Sequence, residues 1–504
     1  MKIFSVNQIR EADKFTIEKD KISSVDLMEQ AAEACYGWIN EKYNFNKNLV
    51  VFCGIGNNGG DGLAIAQIAQ REGYEVKVIV VNYSDKWSED FKTNYKNLKS
   101  KMDVREIKSV DEIGAVNFNN DKEIVIIDAI LGSGINRPVE GLIADCIKFI
   151  NQQPLEVISI DIPSGLYCDK SNALNDGIIK ADYTLSLQFP KLSFMFPENS
   201  NYVGEFTIRD IGISEEYILS NQTNYYFTTK EDVRVFLKKR NTNAHKGNFG
   251  HALIVAGSKG RMGAAVLTSK ACMHSGAGLL TAHVPACGYQ IIQIAIPEAM
   301  AEVDSEMDFI TANIRIEKYN TIGVGPGIGI EKQTQNVVKL LIQNSSVPLV
   351  FDADAINILS ENKTWLSFIP ANSIFTPHIK EFERLVGKVS NTEERLKQQI
   401  EFSVKHNAFV VLKGSHTSIS TPVGEIYFNS TGNPGMATGG SGDVLTGIIT
   451  SLLAQEYSPK EACLLGVYLH GLAGDFAALN KTQETMIASD IINHLSDAFI
   501  FLKE

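Results

Sequence analysis

The sequence predicts two α/β domains in tandem, and three observations support this fold class. Its 504 residues exceed what one hydrophobic core usually serves. Continuous runs of Val and Ile alternate with helical segments, which is typical of parallel strands covered on both faces. The pattern ends near IRDIGI (208–213) and resumes after the polar stretch SEEYILSNQTN (214–224). We therefore predict a first domain over residues 1–215 and a second over residues 225–504.

The first domain opens with a strand, a glycine-rich turn, a helix closed by Gly73 and a second strand, in LVVFC, GIGNNGGDG, LAIAQIAQREG and YEVKVIVV (49–81). EIVIIDAILGSGINRP (123–138) and LEVISIDIPSG (155–165) repeat the order of strand and then loop. A nicotinamide dehydrogenase would place an acidic residue at the end of the second strand, where this chain has Asn82 and Tyr83. The GxGxxG spacing is therefore only weak evidence for a dehydrogenase.

Oxygen ligands follow three of the predicted strands of the first domain. Asn58 follows the first, Asp128 ends the strand of 123–138, and Asp161 with Ser164 follows the next. Parallel strands bind ligands beyond their carboxyl ends, so these side chains are expected to converge. Oxygen donors with a single carboxylate suit a hard monovalent cation. The alternative is that these residues cap helices and fill turns.

The second domain begins with a strand in HALIVAGS (251–258) and a helix through GAAVLTSKACMHSGAG (263–278). Further strands are predicted in NTIGVGPG (320–327), VPLVFDADA (347–355) and FVVLKG (409–414). Near the end, GGSGDVLTGIITSLLA (439–454) has the apolar spacing of a helix beginning at about Ser441. Its glycines expose backbone N–H groups at the positive end of that helix, which predicts an anion hole for a phosphate.

Asp443 stands at the rim of this predicted anion hole. A carboxylate beside a transferring phosphoryl group can take the proton of an attacking hydroxyl, and a positioned base typically contributes about 10²–10⁴-fold. The alternative is an acid that only complements the helix dipole. The surrounding glycines favour the base, in a small-molecule kinase-like domain without a GxxxxGK[ST] P-loop. For His378, Asp352 and Asp354 the residues alone leave both a structural and a ligand-binding role open.

Composition and charge exclude several function classes. The net charge of −12 argues against nucleic acid and against an anionic membrane surface as partners. Seven scattered cysteines without CxxC spacing indicate reduced thiols, and the stretch MKIFSVNQIREADK (1–14) lacks the apolar run expected of a signal peptide. We expect a cytoplasmic protein. All nine histidines lie at or after His245, so acid–base chemistry in the first half needs carboxylates, lysine, tyrosine, hydroxyls or water.

The motifs together resemble those of a known family. The first half contains NNGGDG, DAILGSGINRP and DIPSGL, and the second contains HKGNFGHALIVAGS, GAGLLT, GPGIG, DADA, TPH, LKG and NPGMATGGSGDVLTG. On these motifs the chain resembles the bifunctional NAD(P)H-hydrate repair enzymes. The resemblance implies a Rossmann-like doubly wound epimerase domain, fused to an ADP-dependent dehydratase domain of ribokinase-like fold. It departs at Ile379 and Lys380, where the family usually has Pro-Gly.

The resemblance also implies site residues in each half. In the first half, Asp161 is a candidate base, potassium would bind Asn58, Asp128 and Ser164, and the hydrated dinucleotide would contact Asn57, Asn58, Gly59, Gly60, Asp61, Gly132, Ser133, Gly134, Ile135, Asn136, Arg137, Pro138 and Asp161. In the second half, the S-hydrate would contact Ala264, Gly329, His378 and Asp443, and the adenine nucleotide would contact Lys413, Gly414, Ser415, His416, Thr417 and Gly442.

The implied cofactors are K⁺ and Mg²⁺ with ADP as phosphoryl donor, the implied substrates are NADHX and NADPHX, and the implied assembly is a homotetramer or larger. Two alternatives stay open. One is a kinase of a hydroxylated heterocycle fused to a dinucleotide-binding domain. The other is a nucleotide-sensing scaffold protein, which the candidate base and anion hole of the second half disfavour.

Overall fold

The computed structural model describes residues 1–114, 116, 118, 123–173 and 177–504. They form two compact units, one over Lys2–Thr223 and the other over Asn224–Glu504 with Met1. The first unit extends past the predicted end at residue 215, because the helix over Glu215–Ser220 packs on it. Tyr217 in that helix is buried, and its hydroxyl donates to the backbone oxygen of Gln8 at 2.9 Å.

The described residues of the first unit form one parallel sheet of seven strands in the order β3-β2-β1-β4-β5-β6-β7. Its strands are β1 (Asn48–Cys53), β2 (Val76–Val81), β3 (Val104–Ile107), β4 (Ile124–Ala129), β5 (Glu156–Ile160), β6 (Tyr183–Leu187) and β7 (Glu205–Arg209). β1 and β4 are buried along their whole length, which is why they appear in the sequence as continuous apolar runs.

The strand order reverses between β1 and β4, where β2 and β3 lie to one side and β5 to β7 to the other. Ligands of open parallel sheets bind at such a switch point. The helices of this unit are α1 (Val6–Asp20), α2 (Ser24–Tyr43), α3 (Asn57–Glu72), α4 (Glu89–Lys99), α5 (Val110–Ile113), α6 (Gly141–Asn151), α7 (Ser200–Val203) and α8 (Glu215–Ser220).

The second unit is built on a mixed sheet of ten strands in the order β11-β10-β9-β12-β13-β14-β15-β16-β17-β8. The ladder is parallel from β11 to β15, antiparallel at both sides of β16, and parallel again between β17 and β8. The strands are β8 (Tyr225–Thr228), β9 (His251–Val255), β10 (Leu279–Val284), β11 (Met300–Val303), β12 (Thr321–Val324), β13 (Leu349–Phe351), β14 (Ile374–Phe375), β15 (Phe409–Leu412), β16 (Ser418–Ser420) and β17 (Ile426–Asn429).

Helices cover this second sheet. They are α9 (Lys230–Arg234), α10 (Met262–His274), α11 (Tyr289–Ala295), α12 (Lys332–Asn344), α13 (Ala353–Glu361), α14 (Ile379–Val386), α15 (Thr392–His406), α16 (Ser441–Ala454), α17 (Pro459–Lys481), α18 (Ala488–Asn493) and α19 (Leu495–Lys503). Within the described chain, α17 is the one helix long and apolar enough to cross a membrane. It lies in the main core cluster of the unit with α16, and 78% of its apolar window is buried, which is the position of a core helix.

Candidate active sites

The glycine-rich turn after β1 brings α3 close to the end of β4. A Cβ on Gly54 would overlap the carbonyl oxygen of Ile130, and one on Gly59 would overlap the carbonyl of Gly54. Only glycine allows these backbones to approach so closely. The turn therefore places the first residues of α3 against the loop that follows β4.

Three side chains that the sequence predicts to converge lie together where the start of α3 meets the loop after β4, namely Asn58, Asp128 and Ser164. Asn58 Nδ2 donates to the carbonyl oxygen of Leu131 at 3.0 Å, and the Leu131 N–H donates to Ser164 Oγ at 2.8 Å. Ser164 Oγ donates in turn to Asp128 Oδ1 at 2.6 Å. Among the described residues Asn58 Oδ1 is buried without a hydrogen-bond partner. The cluster thus contains an uncompensated acceptor oxygen beside a carbonyl and a carboxylate, which suits a hard cation.

Asp128 is fully buried at the end of β4. Burial raises its pKa, and the hydrogen bonds that it accepts from Ser164 and Ser159 oppose that rise. These donors stabilise the ionised carboxylate, so Asp128 can contribute negative charge to a cation site.

Asp161 follows β5 in a left-handed conformation, with φ 65°, which is unusual for a residue with a side chain. Its carboxylate forms an ion pair with Lys191, with Nζ 2.7 Å from Oδ1. Lys191 is fully buried, and its ammonium also donates to the carbonyl of Phe189 at 3.0 Å. The sequence prediction missed Lys191. Its pairing with Asp161 depends on β6 lying beside β5, which the order of residues along the chain does not show.

Two further carboxyl groups interact with Asp161. Asp61, the fifth residue of α3, is buried, and burial followed by the charges of Asp161, Asp13 and Asp90 raises its pKa well above the usual range. Burial and Asp161 raise the pKa of Asp13 to about 6, while Lys191 lowers it. No sequence signal marks Asp13, because it lies on α1, outside the strand-and-loop pattern.

The predicted dinucleotide loop after β4 lies beside α3. A Cβ on Gly132 would stand 3.2 Å from Cβ of Asn58, and one on Gly134 would stand 2.8 Å from Nη2 of Arg10. The inner part of the loop is half-buried and the outer part is exposed, namely Gly134, Asn136, Arg137 and Pro138. The first unit thus brings the predicted cation ligands, Asp61, Asp161 and the base of this loop to one end of its sheet.

In the second unit the structure confirms the helix start predicted from the glycine-rich stretch. α16 begins at Ser441 after Gly440, whose φ is 91°. A Cβ on Gly440 would overlap Leu267, and one on Gly442 would lie 3.0 Å from Lys413 Nζ. Glycine at both positions keeps the N-terminus of α16 open beside an ammonium group, which is favourable for an anion.

Asp443 lies in the first turn of α16, close to the buried carboxylate of Asp352 and the partly buried ammonium of Lys413. Lys413 Nζ is 2.9 Å from Asp352 Oδ1, and Thr446 Oγ1 donates to Asp352 Oδ2 at 2.7 Å. Burial raises the pKa of Asp443 to about 7, the charge of Asp352 adds to the rise, and Lys413 opposes it. A carboxyl group with this pKa can accept and release a proton near neutral pH.

Asp354 has a structural role that the sequence left undecided. It accepts a hydrogen bond from the N–H of Gly329 at 2.9 Å, and its carboxylate lies 3.2 Å from Nη1 of Arg261. The N–H of Ala264 donates to the carbonyl of Arg261 at 3.2 Å. Asp354 therefore joins the two segments that carry Gly329 and Ala264. Across the described residues, His, Cys, Asp and Glu side chains form no group of three arranged to hold a metal ion.

His378 is the N-cap of α14, the helix that starts at Ile379 and Lys380. Its Nδ1 accepts from the N–H of Glu381 at 3.2 Å, and half of its side chain is exposed. His378 pairs with Lys413 in an isolated parallel bridge, so both stand at the carboxyl ends of β14 and β15. The exposed ring edge leaves room for a ligand contact.

The loop after β15 divides into exposed and buried parts. Gly414 and Ser415 are exposed, and Thr417 Oγ1 donates back to the carbonyl of Gly414 at 3.2 Å. The His416 ring lies 3.2 Å from the carbonyl of Asn429, and burial lowers its pKa. The exposed turn is the part of this loop that a ligand can reach.

His470 is a further residue that the sequence did not single out. It lies on α17, and its Nε2 is 3.0 Å from the carbonyl of Ser441 at the start of α16. Burial lowers the pKa of His470 to about 4, so the ring is neutral at physiological pH. It contacts the first residue of α16 through the Ser441 carbonyl. The apolar helix pattern around it gave no signal of this contact.

Comparisons with known proteins match both units. Residues 252–497 match the family described as NAD(P)H-hydrate dehydratase, and residues 24–193 match the YjeF-related protein N-terminus. The chain is 34% identical to the bifunctional NAD(P)H-hydrate repair enzyme Nnr of Moorella thermoacetica, over 98% of this chain and 96% of the relative.

Solved structures resemble the second unit. The ADP/ATP-dependent NAD(P)H-hydrate dehydratase of Bacillus subtilis, co-crystallised with ATP and Mg²⁺, is 30% identical, with a TM-score of 0.50, over 56% of this chain and 100% of that one. A ribokinase-like superfamily protein of Enterococcus faecalis is also 30% identical, with a TM-score of 0.50, over 56% of this chain and 99% of that one. With matched domains in both units and a relative aligned over nearly its whole length, the chain belongs to the family of bifunctional NAD(P)H-hydrate repair enzymes.

Proposed function

We propose that the chain repairs hydrated nicotinamide dinucleotides by two activities. The domain over residues 1–215 interconverts the R and S forms of NADHX and NADPHX. The domain over residues 225–504 dehydrates the S form to NADH or NADPH and converts ADP to AMP and phosphate. Family membership over the whole chain supports both assignments.

The dehydration needs a better leaving group than hydroxide. The hydrate carries its hydroxyl on C6, beside ring N1. Asp443 takes the hydroxyl proton, the oxygen attacks the β-phosphorus of ADP, and AMP leaves. The N1 lone pair then expels phosphate from C6, and loss of a proton from C5 restores the dihydronicotinamide.

The observation that carries this proposal is the position of Asp443 at the open N-terminus of α16 with a pKa of about 7. The N–H groups at the N-terminus of α16, which no side chain of the described chain caps, and the ammonium of Lys413 would stabilise the charge on the phosphoryl group as it moves. His378, Ala264 and Gly329 would contact the hydrate, and the loop at Lys413, Gly414, Ser415, His416 and Thr417 with Gly442 would hold the nucleotide.

Mg²⁺ fits this site as a companion of the nucleotide. It typically binds through one or two carboxylates together with substrate phosphates. Asp352 supplies a carboxylate beside Lys413, and the described residues contain no group of three His, Cys, Asp or Glu side chains that would hold the ion alone. When bound, Mg²⁺ would neutralise charge on the phosphates of ADP.

In the first domain, we assign Asp161 as the base that removes the C6 hydroxyl proton. The ring can then open at the C6–N1 bond and close again on the other face. Asn57, Gly59, Gly60, Asp61 and the loop from Gly132 to Pro138 would hold the dinucleotide. K⁺ would bind Asn58, Asp128 and Ser164, since the unpartnered Asn58 Oδ1 and the Asp128 carboxylate provide the oxygen ligands it requires.

One assay tests the whole proposal. The purified protein is mixed with NADHX and ADP, with K⁺ or with Na⁺, and reduced nicotinamide is followed by its absorbance. We expect complete conversion of an R/S mixture with K⁺, and release of AMP and phosphate. A stable phosphorylated product would instead identify the chain as a kinase of a hydroxylated heterocycle, and absence of turnover would favour a sensing protein.

A cytoplasmic location and a homo-oligomer, a homotetramer or larger, belong to the same proposal. All seven cysteines, each in the described part of the chain, are free thiols, and six of them are buried. Reduced cysteines are typical of the cytoplasm. Light scattering during size-exclusion chromatography measures the oligomeric state directly.

A further inference from the structure

The proposed epimerase site contains more carboxyl groups than cations to pair with them. Asp13, Asp61 and Asp161 interact with one another, and Lys191 forms its ion pair with Asp161 alone of the three. Asp61 is only 9% exposed. Like charges packed together cannot all be ionised without a large free-energy cost, and Lys191 compensates only the carboxylate that it contacts.

Lys191 is held firmly in place. Its side chain is fully buried, and its ammonium contacts the carbonyls of Phe189 and Leu187 and the hydroxyl of Ser186 as well as Asp161. The backbone N–H of Asp161 donates to the carbonyl of Leu185 in β6 at 2.8 Å, which fixes the backbone of Asp161 at the edge of the sheet. The ion pair is therefore built into the ends of β5 and β6.

Ring opening of the hydrate needs one base and one acid. As the C6 hydroxyl loses its proton, its electrons form the C6=O bond and the C6–N1 electrons pass to N1. N1 must then receive a proton. After rotation about C5–C6, the two proton transfers run backwards and the ring closes on the opposite face, so the step consumes no other reactant.

We propose that Lys191 holds Asp161 in place as the base of this site, while Asp61, which is buried outside that ion pair, donates the proton to N1. Lys191 acts through Asp161 and is a positioning residue. The proposal rests on the epimerase activity assigned above. The raised pKa of Asp61 agrees with it, and Asp13, with a pKa of about 6, is mostly ionised at neutral pH and is a poor donor there.

Other titratable or charged groups face this cluster from the packed elements. The charge of Asp90 raises the pKa of Asp61, and that of Asp169 raises the pKa of Cys168. The charge of Arg209 lowers the pKa of Cys35. Burial raises the pKa of each of these cysteines above its usual range, so the thiols stay neutral. The groups are Asp13, Cys35, Cys53, Asp61, Asp90, Asp128, Asp161, Cys168, Asp169, Lys191 and Arg209.

The test is the pH profile of epimerase kcat/KM in the full chain. The wild type should lose activity at high pH, in a falling limb from Asp61. In Lys191→Met, kcat should fall about 10²–10⁴-fold while KM stays nearly unchanged, since the base loses the ammonium that holds it in place. Lys191→Arg should restore most of the wild-type profile.

Asp61→Asn tests the acid without leaving a buried charge unpaired, so it decides the question even if Lys191→Met does not fold. We expect kcat to fall about 10²–10⁴-fold, with the falling limb gone from the residual activity. Asp13→Asn should keep the falling limb. Lys77→Met, which removes an exposed lysine of β2, should leave the profile unchanged.

Dehydration of the pure S form by the same preparations controls for folding and protein concentration. A falling limb that persists in Asp61→Asn, or a folded Lys191→Met with the wild-type kcat, would overturn the proposal. A wild type that dehydrates the S form but never converts R to S would instead refute the epimerase assignment itself.

Discussion

Asp443→Asn should abolish dehydration and at the same time stabilise the second unit. The carboxyl group is buried enough for its pKa to rise to about 7, and Asp352 adds to the rise. A group whose native pKa lies above its unfolded value favours folding only while it is protonated. Its ionisation therefore penalises the native state increasingly from about pH 4 to pH 7. Asparagine has nearly the same shape and carries no such charge.

The magnitude follows from the pKa values. A rise from 3.8 to about 7 corresponds to about 4 kcal/mol at pH 8 and about 2 kcal/mol at pH 5, at about 1.4 kcal/mol per unit. Asp443 is partly exposed, so about half of this is a realistic expectation. The gain of Asp443→Asn should then be about 1 kcal/mol larger at pH 8 than at pH 5, or about 2–4 °C in Tm.

Calorimetry of the full chain at both pH values measures this difference. The transition of the second unit is the one that ADP shifts upwards, because a ligand stabilises the unit that binds it. Glu306→Gln removes an exposed carboxylate of the same unit and should change Tm equally at both pH values. If Asp443→Asn gained no stability, or gained more at pH 5, Asp443 would not be the buried group with a raised pKa.

Further predictions follow from the two sites. The kcat/KM of dehydration should rise with pH through about 7, as Asp443 ionises. In Lys413→Met the midpoint of this rise should lie at a higher pH, because the ammonium no longer favours the Asp443 anion. A pH profile measured with saturating ADP gives both midpoints. Gly442→Ala should weaken ADP binding, since the added methyl would lie 3.0 Å from Lys413 Nζ. Gly263→Ala is the control, because its Cβ meets nothing within 4 Å, and it should bind ADP as the wild type does. Calorimetric titration with ADP measures both affinities. Asp161→Asn should stop conversion of R to S and leave dehydration of the S form intact, as chromatography of the two epimers would reveal. Asp128→Asn should remove the K⁺ dependence of epimerisation alone, and equal rates in K⁺ and Na⁺ for the wild type would contradict the cation assignment.

The strands and the two glycine-rich turns were predictable because their signals are local. Buried parallel strands appear as continuous apolar runs, and the start of α16 at Ser441 follows from helical spacing after glycines. The rule that strand ends share one sheet edge was sufficient to group Asn58, Asp128 and Ser164. The motifs, read as a set, were enough to indicate the family.

Tertiary structure decided which charges meet and which protonation states result. Lys191 is 30 residues from Asp161, and its pairing depends on β6 lying beside β5. Asp13 reaches the same cluster from α1, and Asp352 meets Lys413 and Thr446 only because three separate segments pack together. A pKa depends on burial and on the distances to other charges, and neither is encoded in the order of residues along one segment. The sequence by itself therefore determined the fold class, the turns and the chemical groups available, including both candidate bases, while packing determined which charged groups meet around each of them.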